Sequence, residues 1–309
     1  MAATIVVVGS SNTDMVVKVP RLPEPGETVI GGDFVMAAGG KGANQAVACA
    51  RAGVHVSFVG RLGNDAFGQR AVEGLERAQV NTDYVVTDPE APSGVALIYV
   101  DADGENLIAV APGANMRLTT EDIESARPVI ERADCLLLQL ETPIPAVERA
   151  VTIAHDADTL VVLNPAPAPT EPVPPSILEW VDVLTPNRAE AGVLIGRAVR
   201  TLTDAREAAQ ELRNRGPRRV VITLGKEGAL ADDGEPVHLP PYQVEAVDAV
   251  AAGDAFSAAL AVALSEGMSF ADACRSASAA GACAVTKLGA QPSMPTRADI
   301  EAMLTREEP

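Results

Sequence analysis

The sequence predicts an α/β fold in which a three-layer, doubly wound, mostly parallel sheet carries helices on both faces. Short runs of Val, Ile and Leu alternate with longer Ala-rich amphipathic segments, and this alternation is typical of repeated βα units. The chain has 309 residues, of which 47% are hydrophobic and 21% are charged, so it can bury a large core as one unit. We therefore expect residues 1–309 to form a single domain.

The individual elements follow this alternation. Six apolar runs are candidate buried strands: residues 5–8, 56–59, 135–139, 160–163, 181–185 and 220–223. Six segments have helical periodicity: residues 42–52, 67–77, 145–154, 205–215, 252–264 and 270–286. Around residues 14–35 and 94–111 the pattern changes to short alternating strands with turn residues (PEPGE and DADGE). These strands should lie outside the main sheet, as a small β-sheet lid or an oligomer contact.

The proline-rich stretch NPAPAPTEPVPP, residues 164–175, has two interpretations. Its composition suits a linker between two domains. Both flanks, however, continue the same rhythm of strands and helices, which favours a rigid βα loop within one domain.

Composition argues against several classes of partner. The formal net charge is -18 and the pI is about 4.5, whereas nucleic-acid binding needs clustered Lys and Arg. No run approaches the ~18 apolar residues of a membrane span, and the N-terminus lacks the features of a signal peptide. The four cysteines form no C-x-x-C pair and suit buried free thiols. We expect a cytoplasmic protein without a nucleic-acid or membrane partner.

The segment VDAVAAGDAF, residues 247–256, carries Asp248 and Asp254 in a run with no other polar side chain. An Ala-rich helix follows, so the amides of residues 251–254 should lie at its N-terminus, where bare N–H groups bind anions. Such a site could receive a transferring phosphoryl group while Asp254 accepts the proton of an attacking hydroxyl. Alternatively, Asp254 is only the N-cap of a tightly packed helix.

A second stretch, AAGGKGANQAV at residues 37–47, surrounds Lys41 with glycines at the start of another helix. Lys41 and Asn44 are three residues apart and share one side of its first turn, where a cation and an amide suit a polyhydroxylated ligand. The alternative is a solvated lysine at a glycine-rich helix entry. Neither a Walker A motif nor G-x-G-x-x-G is present, which disfavours P-loop and NAD-binding interpretations.

Further polar residues follow predicted strands, where open α/β proteins bind ligands. The turn after residues 220–223 is rich in glycine, which suits a nucleotide site or a plain tight turn. Asn187 and Glu190 lie one helical turn apart; they can orient hydrated Mg²⁺ or form an N-cap with a first-turn acid. Asn12, Asp14 and Glu141 also follow strands and suit either sugar hydroxyls or turns.

Taken together, and in this order, these motifs resemble the ribokinase-like sugar kinases, the phosphofructokinase-B-type carbohydrate kinase family. The resemblance covers essentially the whole chain and is carried by GGKGANQA, AAGD and the tail GAQPSMP at residues 289–295. It implies the doubly wound sheet with a small β-sheet lid, and ATP-dependent phosphorylation of the 5-hydroxyl of D-ribose. The alternatives are a kinase of another small sugar or nucleoside (deoxyribose, fructose or adenosine) and a sugar-binding sensor without catalysis.

The resemblance also implies a role for each site residue. Asp254 would be the general base, beside an anion hole formed by Ala251, Ala252 and Gly253. The ribose pocket would comprise Asp254 with Asn12, Asp14, Gly40, Lys41, Asn44 and Glu141. ATP would contact Asn187, Thr223, Gly225, Gly228, Gly253 and Ser278. Glu190 would hold Mg²⁺ through water, and an activating K⁺ would be bound by Asp248, Val250, Ala284, Lys287, Gly289 and Ser293, partly through main-chain carbonyls. Edge pairing of the lid strands further predicts a homodimer.

Overall fold

The computed structural model describes residues 2–102 and 105–306, and the strands of these residues form two sheets. The nine-stranded main sheet contains β1 (Thr4–Val8), β4 (His55–Gly63), β5 (Val80–Asp88), β8 (Cys135–Leu138), β9 (Leu160–Leu163), β10 (Val183–Leu184), β11 (Arg219–Thr223), β12 (Ala229–Asp232) and β13 (Val237–Leu239). The four-stranded second sheet, which we call the lid sheet, contains β2 (Asn12–Lys18), β3 (Phe34–Gly39), β6 (Gly94–Val100) and β7 (Asn106–Ala111).

The helices alternate with the strands of the main sheet. They are α1 (Lys41–Arg51), α2 (Ala66–Arg77), α3 (Thr120–Ser125), α4 (Arg127–Ile130), α5 (Ile144–Asp156), α6 (Pro175–Leu178), α7 (Arg188–Ile195), α8 (Leu202–Arg213), α9 (Ala252–Ser265), α10 (Phe270–Ala284), α11 (Ala290–Ser293) and α12 (Arg297–Leu304). Short 3-10 turns occupy Gly113–Arg117 and Gly225–Glu227. Within the described residues, no helix is long and apolar enough to cross a membrane.

The strand order of the main sheet creates a binding crevice. The order is β13-β12-β11-β10-β9-β8-β1-β4-β5. The strands from β11 to β5 in this order run parallel, whereas β12 pairs antiparallel with β11 and β13 pairs antiparallel with β12. The chain leaves β1 towards β4 and later returns on the other side as β8. The carboxyl ends of the strands beside this switch point are where doubly wound folds bind ligands.

Two hydrophobic cores lie on opposite faces of the main sheet. Along β1, Val6 and Val8 belong to one core, whereas Ile5 and Val7 belong to the other, as the alternation of side chains along a strand requires. Helices α5 and α8 cover the first face, and helices α1, α9 and α10 cover the second. The predicted three-layer α/β architecture is therefore confirmed.

Most of the predicted elements are present, with shifts of a few residues at their ends. All six predicted strands and all six predicted helices correspond to elements of the main sheet and its covering layers. Residues 164–174 connect β9 to α6, and the Asn164 amide donates to Leu138 O at 2.9 Å, which supports the βα-loop interpretation. Strand β5 was not predicted, because its sequence VNTDYVVTD is largely polar.

The lid sheet forms where strands outside the main sheet were predicted, but its boundaries differ. Residues 19–33 form no strand, because Pro20, Pro23 and Pro25 cannot donate to a ladder and glycines surround them. Strand β2 begins at Asn12, and β3 extends to Gly39, so the first three residues of AAGG belong to the strand and Gly40 is the N-cap of α1. In the DADGE turn, Asp103 and Gly104 lie outside the described residues.

Candidate active site

A cleft of about 190 Å³ lies at the carboxyl ends of β9, β10 and β11, against the N-terminal ends of α1, α7 and α9. Seven residues predicted for the site line it: Lys41, Asn187, Glu190, Thr223, Ala251, Gly253 and Asp254. Asn164, Ala166, Thr185, Ala249 and Ser257 also line it, without having been predicted. Motifs far apart in the sequence therefore meet at one edge of the sheet.

The N-terminus of α9 forms one wall of the cleft. Ala251, immediately before Ala252 at the helix start, has a φ of 61°, a left-handed conformation that is uncommon for a residue with a Cβ. No side chain caps this helix end, so its first amides have no partner within the helix. A Cβ added at Gly253 would meet no heavy atom within 4 Å. The Ala252 amide donates to Ala249 O at 3.4 Å. The helix end thus has no side-chain cap and has open space beside Gly253, which suits an anion site.

Asp254 is the third residue of α9, so the N-cap interpretation of this residue is wrong; the N-cap is Ala251. The Asp254 side chain is buried, with 4% of the residue exposed. Asn44 Nδ2 donates to Asp254 Oδ2 at 2.9 Å, and Gln45 Nε2 donates to Asp254 Oδ1 at 2.9 Å. Two consecutive residues of α1 thus hold both oxygens of the carboxylate in the cleft.

The other residues of the predicted sugar pocket surround the start of α1. The Ser10 hydroxyl and the Lys41 amide both donate to Glu141 Oε2, the latter at 3.0 Å. Asn12 Oδ1 accepts from Asn115 Nδ2 at 2.8 Å. Glu141 is therefore bonded at the start of α1, next to the turn that carries Asn44, the pocket residue bonded to Asp254.

Charge is concentrated in this region. Burial raises the pKa of Asp14 to about 6, with further contributions from the charges of Glu141 and Asp254. For Lys41, burial acts to lower the pKa, but Asp254, Glu141 and Glu190 together raise it above its ordinary value. Lys41 thus stays charged, surrounded by carboxylates, and its interpretation as a solvated lysine is not supported.

The glycines before and within α1 allow close packing of the protein backbone. Gly40 has a φ of +87°, and a Cβ there would come within 2.6 Å of the Asn12 nitrogen. A Cβ on Gly42 would come within 2.6 Å of the Ser10 nitrogen. Glycines at a helix entry can let a ligand approach the backbone, but the nearest neighbours of Gly40 and Gly42 belong to the β1–β2 turn. Their first role is to seat α1 against that turn.

Asn187 and Glu190 form the predicted N-cap and first-turn acid, and their role towards Mg²⁺ stays a prediction. Asn187 Oδ1 accepts from the Glu190 amide at 2.9 Å, and Glu190 Oε2 accepts from the Asn187 amide at 2.8 Å, which forms a capping box at the start of α7. Both residues also line the cleft. Burial raises the pKa of Glu190, and the charge of Asp254 raises it further. The hydrogen bond from the Asn187 amide and the charge of Lys41 act in the opposite direction but do not cancel the rise.

The turn after β11 reaches the cleft through Thr223, which forms a β-bridge with Asn187. Gly225, at a φ of +62°, has open space where a Cβ would be. Gly228 instead packs against the backbone, since a Cβ would lie 2.0 Å from Leu239 O. The Ser278 hydroxyl donates to Cys274 O within α10 at 2.9 Å, and Ser278 is not among the described residues that line the cleft.

The residues predicted for K⁺ lie around the loop before α9 and the segment before α11. Asp248 joins the two segments: Oδ1 accepts from the Val250 amide and Oδ2 from the Gly289 amide, each at 2.9 Å. The Lys287 side chain is itself a cation, and its Nζ lies 3.7 Å from Asp299 Oδ2. Only the Lys287 carbonyl therefore suits a bound cation. Ala284 and Ser293 are buried. In the described part of the chain, no group of three or more His, Cys, Asp or Glu residues is arranged to hold a metal ion.

Sequence reasoning missed a set of buried polar side chains behind Asp254: Gln45, Gln139, Asn164, Thr185 and Ser257. Thr185 Oγ1 lies 3.0 Å from Ser257 Oγ and links the end of β10 to α9. Gln139, Asn164 and Thr185 each directly follow an apolar strand. A polar residue in that position was the available signal, because the carboxyl ends of parallel strands meet at one edge.

The fold and the cleft define a doubly wound α/β protein with its ligand site at the switch point of the sheet. Residues 2–297 match the model of the pfkB family carbohydrate kinases, and the chain belongs to this family.

Several named proteins are similar over nearly the whole chain. The chain is 40% identical to the ribokinase of Haemophilus influenzae over 298 residues, covering 96% of this chain and 97% of that protein. It is 37% identical to the deoxyribokinase of Salmonella typhi over 253 residues, covering 82% of each. The structure of Arabidopsis thaliana ribokinase complexed with ribose and ATP superposes with a TM-score of 0.90 at 34% identity, covering 99% of this chain and 100% of that chain.

Proposed function

We propose that this protein transfers a phosphoryl group from ATP to the 5-hydroxyl of D-ribose, giving D-ribose 5-phosphate and ADP. The observation that carries this proposal is the placement of Asp254, a buried carboxylate hydrogen-bonded through both oxygens, beside the bare N-terminus of α9. The similarity to ribokinases of Haemophilus influenzae and Arabidopsis thaliana supports ribose as the sugar and ATP as the donor.

In the proposed reaction, Asp254 accepts the proton of the 5-hydroxyl while that oxygen attacks the γ-phosphorus. The new O–P bond forms as the bond between the γ-phosphorus and the leaving oxygen of ADP breaks in line. The amides of Ala251, Ala252 and Gly253 stabilise the charge on the transferring group. A general base contributes about 10²- to 10⁴-fold to the rate enhancement, and positioning of the reactants within the cleft supplies much of the remaining enhancement.

The sugar would bind between the start of α1 and the end of the lid sheet where β2 begins and β3 ends. Asn44 Oδ1 is buried and has no hydrogen-bond partner among the described residues, so it is available to accept from a sugar hydroxyl. Asn12, Asp14, Lys41, Glu141 and the Gly40 backbone add polar groups around the same space. This arrangement suits a small polyol better than an apolar ligand.

The donor set also fits Mg²⁺. Asp254, Glu141 and Glu190 act on one ammonium group, that of Lys41, and Asp14 lies near Glu141 and Asp254, so carboxyl groups outnumber cations here before the phosphates of ATP enter. Glu190 would hold the ion through water, since hard cations prefer oxygen ligands and Mg²⁺ keeps several waters. The ion would neutralise charge on the phosphates.

A monovalent cation fits the loop before α9. Asp248 supplies negative charge there, and main-chain carbonyls at Val250, Ala284, Lys287, Gly289 and Ser293 are the oxygens that would complete the set. Bound K⁺ would fix the loop that presents the anion hole.

Replacing K⁺ with Na⁺ should lower turnover in the wild-type protein but not in Asp248→Ala. Equal cation dependence in both would remove the case for Asp248.

We also infer a homodimer formed through the lid sheet. Large apolar side chains are exposed on β3, β6 and β7, among them Phe34 at 59%, Ile108 at 51% and Leu97 at 46%, and such a patch marks an interaction surface. Light scattering that finds only monomer would reject this assembly.

We also propose a cytoplasmic location. All four cysteines are buried free thiols, which suits a reducing compartment.

A panel of sugars tests the proposed function. ADP release should be measured with D-ribose, deoxyribose, fructose and adenosine, each with and without K⁺, and D-ribose should give the highest kcat/KM. The Salmonella typhi relative makes deoxyribose the second candidate, and a higher kcat/KM for deoxyribose would replace the first. Ribose binding without ADP release would instead indicate a sensor.

A further inference from the structure

A chain of three buried amide side chains lies behind Asp254. Gln45 Nε2 donates to Asp254 Oδ1 at 2.9 Å and to Asn164 Oδ1 at 3.1 Å. Gln139 Nε2 donates to Gln45 Oε1 at 2.5 Å. Gln45 and Gln139 are 0% exposed, and Asn164 is 6% exposed. Every polar atom of the Gln45 side chain is therefore hydrogen-bonded inside the protein.

The direction of this network is fixed by a group that can only accept. Asn164 Nδ2 donates to Thr185 O at 2.9 Å, and a backbone carbonyl has no proton to give. Asn164 therefore directs its Oδ1 towards Gln45, and the Gln45 NH₂ group donates to that oxygen. The second proton of that NH₂ group points at Asp254 Oδ1. The ends of β9 and β10 thus determine the orientation of the amide that holds Asp254.

Gln45 differs from its neighbour Asn44 in how it can act. Asn44 Oδ1 is buried and has no hydrogen-bond partner among the described residues, whereas both polar atoms of the fully buried Gln45 side chain are bonded to other buried groups. Of the residues bonded to Gln45, Asn164 and Asp254 line the cleft, so Gln45 can affect the substrate only through these two.

We propose that Gln45 is a positioning residue for phosphoryl transfer, which fixes the Asp254 carboxylate against the bare N-terminus of α9 through its amide. This role presupposes the proposed function, in which Asp254 is the general base. Because Gln45 does not touch the sugar or ATP, its loss should lower kcat and leave both KM values nearly unchanged. Displacement of a reacting group by about 1 Å can cost on the order of 10²-fold.

The matched pair Gln45→Met and Gln139→Met tests this role. Both variants remove one buried amide of the same network and replace it with a side chain of similar length. In Gln139→Met, Asn164 and Asp254 still orient Gln45, so kcat should stay close to that of the wild-type protein. In Gln45→Met, kcat should fall about 10- to 100-fold. If Gln45→Met does not yield folded protein, Gln45→Asn, whose shorter amide cannot span the same distance, takes its place.

A double-mutant cycle separates positioning from a general structural role. If Gln45 acts through Asp254, adding Gln45→Met to Asp254→Asn should cost no further kcat, because residues that act as a unit are not additive. Equal kcat losses in Gln45→Met and Gln139→Met, a loss confined to KM, or full additivity with Asp254→Asn would each overturn the positioning role. A wild-type protein that phosphorylates none of the sugars overturns the proposed function as well, whereas active wild type with unimpaired Gln45→Met overturns the positioning role alone.

Discussion

The residues predicted for the two ligands are held in place differently. The sugar half, our name for Asn12, Asp14, Gly40, Lys41, Asn44 and Glu141, includes bonds between distant parts of the chain: the Lys41 amide donates to Glu141, 100 positions away, and Asn44 donates to Asp254, 210 positions away. The nucleotide half, comprising Asn187, Thr223, Gly225, Gly228 and Ser278, relies on local contacts, such as the capping box of α7 and the Ser278 bond within α10.

The glycines show the same difference. Gly42 has no room for a Cβ because the backbone of residues 9 and 10 occupies that space, whereas Gly225 and Gly253 border open space. A glycine required by packing and a glycine required by a ligand therefore look identical in the sequence. Gly42 and Gly228 are thus required by packing, whereas Gly225 and Gly253 leave space that the proposed phosphate-bearing ligand would use.

The largest expected effect is on chemistry at the point where the two halves meet. Asp254→Asn keeps the shape of the side chain but removes the base, so kcat should fall about 10²- to 10⁴-fold. Ribose affinity, measured by calorimetry, should change little, because the sugar half stays folded. An unchanged kcat would show that another group accepts the proton.

The glycine pair Gly42→Ala and Gly253→Ala should separate packing from ligand access. A Cβ on Gly42 would lie 2.6 Å from Ser10 N, so Gly42→Ala should lower the free energy of unfolding by about 1–3 kcal/mol. Gly253→Ala has the necessary space and should preserve stability, but its methyl group should hinder the phosphoryl group and lower kcat. Urea unfolding and steady-state assays measure the two effects. The contrast between the halves fails if Gly253→Ala is the less stable variant.

Asp14 should make the sugar half less stable as the pH rises. Its pKa in the folded protein is about 6, above its ordinary value of 3.8. Protonated Asp14 therefore makes its full contribution to the free energy of unfolding below pH 3.8, and this contribution is lost as the pH rises through 6. Asp14→Asn removes this loss, so its gain over wild type in the free energy of unfolding should grow from pH 4 to pH 7 and reach about 2–3 kcal/mol.

The pH series needs a control and a second measurement. Asp33→Asn alters an exposed aspartate before β3 and should give no comparable trend in unfolding free energy. Asp14→Asn should also raise the KM for ribose if Asp14 binds the sugar. A stability gain at pH 4 equal to that at pH 7 would be inconsistent with a buried, destabilised carboxylate.

The smallest expected effect concerns the capping box. Asn187→Ala should cost about 1 kcal/mol of stability through loss of the N-cap, whereas Asn187→Ser retains a capping oxygen. If Asn187 also contacts ATP, both variants should raise the KM for ATP. Restoration of a normal KM by serine would show that Asn187 only caps α7, and the nucleotide half would then lose a proposed ligand.

The sequence predicted the sugar half more completely than the network behind it. Lys41, Asn44 and Asp254 stand out because polar residues interrupt Gly- and Ala-rich runs, and these residues do meet in the structure. Gln45 lies in the same Ala-rich run as Asn44 and Gln139 directly follows β8, but the sequence does not show that these two side chains bond to each other, because only the tertiary fold brings them together. The limits of the lid sheet were also missed, because an alternating pattern does not reveal where the proline-rich segment leaves the sheet.

The most direct test of the account is to identify the product of the reaction. The protein should be incubated with D-ribose and ATP, with Mg²⁺ and K⁺ present, and the mixture analysed by ³¹P and ¹³C NMR. We predict ADP and one new phosphate ester, on C5 of ribose, with formation greatly slowed in Asp254→Asn. ADP without a sugar phosphate, or a phosphate on another hydroxyl, would contradict the account.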